Sequence, residues 1–169
     1  VYKRQVHSRM LTYAHILDLD TKFRALLSSL PIFLRPDPTL EQLPEVRQEQ
    51  AQRPYLAMHR LIVFEAVNQR LLVLHRDDMC RGHHDEKFAY STRVAVDAAR
   101  TILSCRQQID NVHPAVQKHA AFRHHLFQAA IVLSIHLLEL SHKAQGESQV
   151  AHQLRDDIAL IMNYLYGSN

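Results

Sequence analysis

Apolar residues in this chain recur at intervals of three, four or seven, and nowhere do they alternate over the length of a strand. Leu56, Val63, Ala66, Val67 and Leu74 follow this spacing. So do Ala95, Ala98, Ala99, Ile102 and Ile109, and a closing stripe of Leu154, Ile158, Ile161, Met162 and Leu165. A period near 3.6 puts such residues on one face of a helix, whereas a half-buried strand needs a period of 2. The breakers agree. The three glycines, Gly82, Gly146 and Gly167, each stand where a helix should stop, and Pro54 and Pro114 suit first-turn positions. The pattern predicts an all-α, multi-helix bundle of about six helices.

Along the chain, Met10, Tyr13, Ala14 and Leu17 open one stripe, and Phe23, Leu26, Leu27 and Leu30 form the next, ending at Pro31. The proline-rich stretch from Pro31 to Arg53 reads as a loop with one short helix around Leu40 to Gln50. A long helix is expected from Pro54 to near His75, and others follow around Ala95 to Ile109 and from Pro114 to Leu140. Because Leu126 to Leu140 is apolar on nearly every side, that segment is expected to be the central buried helix. The bundle is expected to be a fragment of a larger helical domain, in which case some apolar faces should lie uncovered.

Bulk properties exclude several classes of function. At 169 residues and 47% hydrophobic, the chain can bury a single core. The net charge is +3, with Lys and Arg scattered among acids, so this segment lacks the basic face of a nucleic-acid reader. The most apolar run, AAIVLSIHLLEL from Ala129, is twelve residues long and includes His136 and Glu139. A membrane span needs about 20 apolar residues, so no membrane association is expected. Cys80 and Cys105 are the only cysteines, too few for a disulfide framework or a cysteine-rich zinc site. Val1 to Gln5, VYKRQ, read back to GTG TAT AAG AGA CAG, which matches the end of a transposase sequencing adapter. These five residues are expected to be an assembly artefact, with the true chain running from Val6 to Asn169 and truncated near Val6.

The stretch that most invites a chemical reading is LHRDDMCRGHHDE, Leu74 to Glu86, with three histidines, one cysteine and four carboxylates. Helical zinc sites place histidines four apart, on one face. None of the thirteen histidines stands four from another, and His83-His84 and His124-His125 are adjacent pairs. A polar linker broken at Gly82 is therefore expected rather than a ligand set. The alternative is a metal-dependent HD-type phosphohydrolase. It would need His59 or His75, the pair His84-Asp85, and Asp110 or Asp156 to converge. Nucleophilic catalysis finds no G-x-S-x-G, and Cys80 near His83 lacks rigid support. His136 and Glu139 are three apart on the apolar helix, placed to satisfy each other or to face a crevice. The residues predict no enzyme, and neither catalytic, cofactor-binding nor metal-binding residues.

Four segments in order, YAHILDLDTKFRALLSSLPIF from Tyr13, RLLVLHRDDM from Arg70, FAYSTRVAVDAARTIL from Phe88 and FRHHLFQAAIVLSIHLL from Phe122, carry a family resemblance. Together they resemble the fungal-specific transcription factor domain, the middle homology region of zinc binuclear cluster regulators. The motif positions are Leu74, His75, Arg76, Ser91, Ala98, Ala99, Phe127, Ala129 and Ala130. Their expected roles are structural. Ala98 and Ala99 would allow close helix approach, Ser91 would cap a helix, and His75 and Arg76 would face the negative end of the preceding helix. Two departures stand out: Asp77-Asp78-Met79 replaces the family's Pro-Phe-Leu, and Val96 lies where the family usually has a cysteine before its paired alanines.

The resemblance implies a nuclear regulator of RNA polymerase II transcription whose DNA-binding part lies outside this fragment. That missing N-terminal domain would hold zinc in a six-cysteine cluster, and this fragment would hold no cofactor. Partners so implied are DNA through the missing domain alone, a homodimer of the parent protein, the transcription machinery or co-regulators, and a small-molecule effector.

Overall fold

The computed structural model describes residues 12–36, 39–112, 120–143 and 148–167. Val1 to Gln5, Met10, Pro114 and Gly146, on which the adapter reading, part of the first stripe and two of the expected helix breaks fall, lie outside the described residues. Among the described residues there are six α-helices and no strand. The all-α bundle stands.

The two apolar stripes near the N-terminus form one helix, α1 (Tyr13–Ser29), whose first turn is capped by the Thr12 side chain accepting from the His15 amide. Pro31 follows its C-cap, Leu30. Two short 3-10 turns, Ile32–Leu34 and Leu40–Gln42, lead into α2 (Pro44–Gln52), which begins on proline as the missing amide of that residue allows. This is the short helix expected in the linker, and a wholly buried Val46 pins it. Next come α3 (Tyr55–Gly82), α4 (Ala89–Val112), α5 (Ala120–His142) and α6 (Gln149–Tyr166). Ser148 caps α6 by accepting from the Ala151 amide, and Gly167 terminates it.

Two expectations are corrected. First, α3 does not end near His75 but continues through Asp77-Asp78-Met79 to Gly82. The register explains why: Asn68, Leu71, Leu72, His75, Asp78 and Met79 form one unbroken buried face, while Arg76 and Asp77 turn to solvent. His75 and Asp78 occupy core positions of a helix, and their polarity hid the period. Gly82 marks the true end for a steric reason. A Cβ there would sit 2.4 Å from the Phe88 carbonyl oxygen and 2.2 Å from Thr92 Oγ1, so only glycine lets α3 finish against the start of α4.

Second, the central helix is α4. Its interface with α3 is the most extensive among the described elements, and it also packs on α5 and α6. Ala95 and Ala99 are fully enclosed, and Ala98, Ile102 and Ile109 are buried beside them. Those small side chains bring the α3 and α4 backbones together. Helix α5 instead buries one face, Leu126, Ala129, Ala130, Val132 and Leu133, and leaves Phe127, Ile131 and Leu138 exposed. Apolar residues on every side did not mean burial on every side.

Candidate functional site

A buried polar cluster joins α1, α3 and α4, and Ile16 begins the pattern that builds it. Ile16, Asp20, Phe23 and Leu27 follow one helical face of α1, so Asp20 is a carboxylate carried into the core by its register. It is 3% exposed. Arg24, one turn on, donates from Nε to both Asp20 oxygens at 3.2 and 2.9 Å, and the Tyr90 hydroxyl of α4 donates to Oδ2 at 2.6 Å. Burial pushes the Asp20 pKa up, but these hydrogen bonds and the charge of Arg24 outweigh it and hold it below the usual carboxylate value. Asp20 is an anion in the core.

His75 faces it and is fully enclosed. Its Nε2 lies 3.4 Å from Asp20 Oδ1, long for a hydrogen bond, and its Nδ1 lies 2.9 Å from Ser91 Oγ. Ser91 in turn stands 3.3 Å from the Tyr13 hydroxyl. Burial lowers the His75 pKa more than the Asp20 carboxylate raises it, so the ring is neutral at pH 7. One proton must then be placed. A bare nitrogen facing a carboxylate is repulsive, which puts the proton on Nε2 and makes Nδ1 the acceptor of the Ser91 hydroxyl.

Serine, histidine and aspartate in line resemble a hydrolytic triad in composition. The geometry removes that reading. Ser91 and His75 are both fully enclosed, so no substrate carbonyl can approach the hydroxyl. What the arrangement can do is fix three helices in register, since each buried polar group costs about 1–3 kcal/mol if its partner is lost.

The other end of the LHRDDMCRGHHDE stretch meets α5. His83 Nε2 lies 3.3 Å from His136 Nδ1, and His84 Nε2 lies 3.5 Å from Glu139 Oε2. Lys143 Nζ donates to the His83 carbonyl oxygen. His136 and Glu139 thus take partners from the end of α3, one histidine each. Burial, with the neighbouring His83, Arg100 and Lys143 charges, lowers the His136 pKa to about 4. Burial likewise lowers that of His83. Both rings therefore favour the neutral form more than a free imidazole does.

The remaining sequence-predicted positions scatter. His75 and Ser91 meet in the α1–α3–α4 cluster, and Ser91 lies within the first turn of α4 rather than capping it. His75 is almost two turns from the end of α3, too far in for the terminal dipole to matter. Leu74 is half-buried on α3 and Arg76 is exposed. Ala98, Ala99, Ala129 and Ala130 line the core, with Val96 buried near the first pair, whereas Phe127 points outward. Asp20, Arg24 and Tyr90 were not among the expected positions, and Tyr13 was read only as part of an apolar stripe. The available signal was a carboxylate in the middle of the Ile16, Phe23 and Leu27 stripe.

The phosphohydrolase alternative gains no support. His75 is committed to Ser91, His84 pairs with Glu139, and His59 packs against Tyr55 with ring centroids 5.2 Å apart and planes tilted by 55°. Asp85 caps the turn after α3 by accepting from the Lys87 amide at 3.0 Å. Asp156 is exposed on α6, and the Asp110 side chain is outside the described set. Among the described residues no group of three or more His, Cys, Asp or Glu is placed to hold a metal ion. Nor is any described helix long and apolar enough to cross a membrane.

Two curated proteins are similar to this chain. One is the probable transcription factor lepB of Aspergillus flavus, 26% identical over 131 residues, covering 75% of this chain and 23% of the relative. The other is the agnestins biosynthesis cluster transcription factor AgnL11 of Paecilomyces divaricatus, 27% identical over 146 residues, covering 85% of this chain and 20% of the relative. The chain therefore spans about a quarter or less of the length of these relatives. No family model matches the chain, and no solved structure matches it. These two relatives, and not the bundle or its polar cluster, carry the conclusion: the chain is related to fungal transcription factors.

Proposed function

We propose that this chain is the regulatory, middle homology region of a fungal zinc-cluster transcription factor acting on RNA polymerase II promoters in the nucleus. The observation that carries the proposal is the similarity to two transcription factors over three quarters or more of the chain. The geometry agrees with it. The polar residues that look most chemical are spent on joining helices, and the bundle offers a scaffold rather than a reaction centre.

DNA binding is assigned to a separate N-terminal domain of the parent protein, where zinc would sit in a six-cysteine cluster. This chain does not fit that cluster. Its cysteines are Cys80, exposed on α3, and Cys105, buried in α4 with its thiol pushed up to about 12 by burial and by Glu65. The fragment's own contribution would be to restrain or transmit activity, through the transcription machinery or co-regulators, through a homodimer of the parent, or through a small-molecule effector.

Binding of purified residues 6–169 to promoter DNA tests the division of labour. The expected result is weak, non-selective binding that fades as salt rises. Tight, sequence-selective binding would overturn the proposal.

A further inference from the structure

Phe127, Ile131 and Leu138 lie along one side of α5 and are 51%, 44% and 59% exposed. Their spacing of four and then seven residues makes a straight row down the helix, with half-buried Ile135 beside it. From Leu126 to Leu138 the sequence contains no Asp, Glu, Lys or Arg. A helix face that meets water ordinarily carries charge, and this one carries none across more than three turns. The row also leads into a cleft of about 150 Å³ between α3 and α5, floored by Leu72 and Met79 and walled by Ile131 and Ile135. Arg76 and Asp77 form its polar edge.

We propose that this face seats a further amphipathic helix of the same polypeptide, one lying outside these 169 residues. One observation selects that occupant, and two more describe the surface it must fit. The matched region is 23% and 20% of the two relatives, so polypeptides of this kind carry several times more chain than the bundle described here. A row at helical spacing beside a groove receives the ridge of another helix, with apolar side chains every three or four residues. A charge-free centre with charges only at the rim is the composition of a permanent contact, closer to a core cut in half than to a transient docking surface. Arg76 and Asp77 would then set the register of the incoming helix, which should carry an acidic and a basic residue at that edge.

The inference rests on the reading of the chain as part of a longer regulator, but its test reads coverage and not transcription. In the full-length protein, Ile131→Cys and Leu138→Cys are introduced singly and alkylated. The extent at the α5 peptide is followed by mass spectrometry in native and denaturing buffer. Alkylation is expected to be at least about tenfold slower in native buffer, independent of protein concentration. Equal rates in the two buffers would overturn the proposal. So would protection that appears only at concentrations where the protein dimerises, which would assign the face to a second copy. A transcript encoding nothing beyond this chain would also overturn it. Protected cysteines in a protein that leaves transcription unchanged would sink the regulatory reading alone.

Discussion

The two ends of LHRDDMCRGHHDE hold the same kind of side chain in opposite circumstances. His75 is enclosed between α1, α3 and α4, with Asp20 and Ser91 on its two nitrogens. His84, nine residues on, is 69% exposed and rests 3.5 Å from Glu139. Histidine count alone marks the two ends as equally chemical. Their surroundings separate them, because a polar contact is worth most where water cannot replace it. At the buried end the imidazole specifies how three helices meet, and at the exposed end it decorates the exit of α3.

The largest effect should come from the buried end. His75→Ala removes an enclosed ring and leaves Asp20 and Ser91 short of a partner, so it should destabilise the bundle by about 3–5 kcal/mol. Denaturant midpoints measure this, and a double-mutant cycle with Asp20→Asn should show the two changes to be strongly non-additive. A midpoint close to wild type would break the comparison.

Next comes the α3–α4 contact. Ala99 is fully enclosed, and Ala99→Leu should force the helices apart at a cost of about 1–3 kcal/mol. Thermal unfolding with retained helical content is the readout. Tolerance of leucine there would show that the small residue does not set the spacing.

Acid sharpens the comparison at the α3–α5 junction. The His136 pKa falls from its ordinary 6.5 to about 4 in the folded chain. The unfolded chain then binds the proton more readily, so the stability this residue contributes is complete above pH 6.5 and is lost as pH falls toward 4. His75 and His83 are shifted the same way and add to the trend. His136→Phe should flatten the melting-temperature profile over that window, and an unchanged slope would contradict the assignment. The smallest effect is expected for His84→Ala, within about 0.5 kcal/mol of wild type, as for an exposed pair. A loss comparable with that of His75→Ala would erase the distinction between the two ends.

Much of this architecture was legible because helical periodicity survives wherever the buried positions are apolar. α4 and α6 were readable for that reason, whereas the short helix expected around Leu40 to Gln50 lies at Pro44–Gln52. The end of α3 was not. His75 and Asp78 occupy core positions, and a pattern scored on apolarity stops at Leu74 although the buried face runs on to Met79. The converse error fell on α5, where Phe127, Ile131 and Leu138 are apolar but uncovered. Hydrophobicity reports what a residue could bury, and only packing decides whether anything covers it. The Asp20–His75–Ser91 cluster joins residues 55 and 16 positions apart in sequence, and no local motif links them. The charge in the α1 stripe was visible, and its partners were not.

The central claim is that this bundle regulates a transcription factor without itself reading DNA. Reporter output and promoter occupancy, measured together for the full-length protein with and without residues 12–167, test it most directly. The account predicts that removing the bundle changes transcription several-fold while occupancy of the promoter stays the same. Unchanged transcription, or occupancy lost along with the bundle, would contradict it.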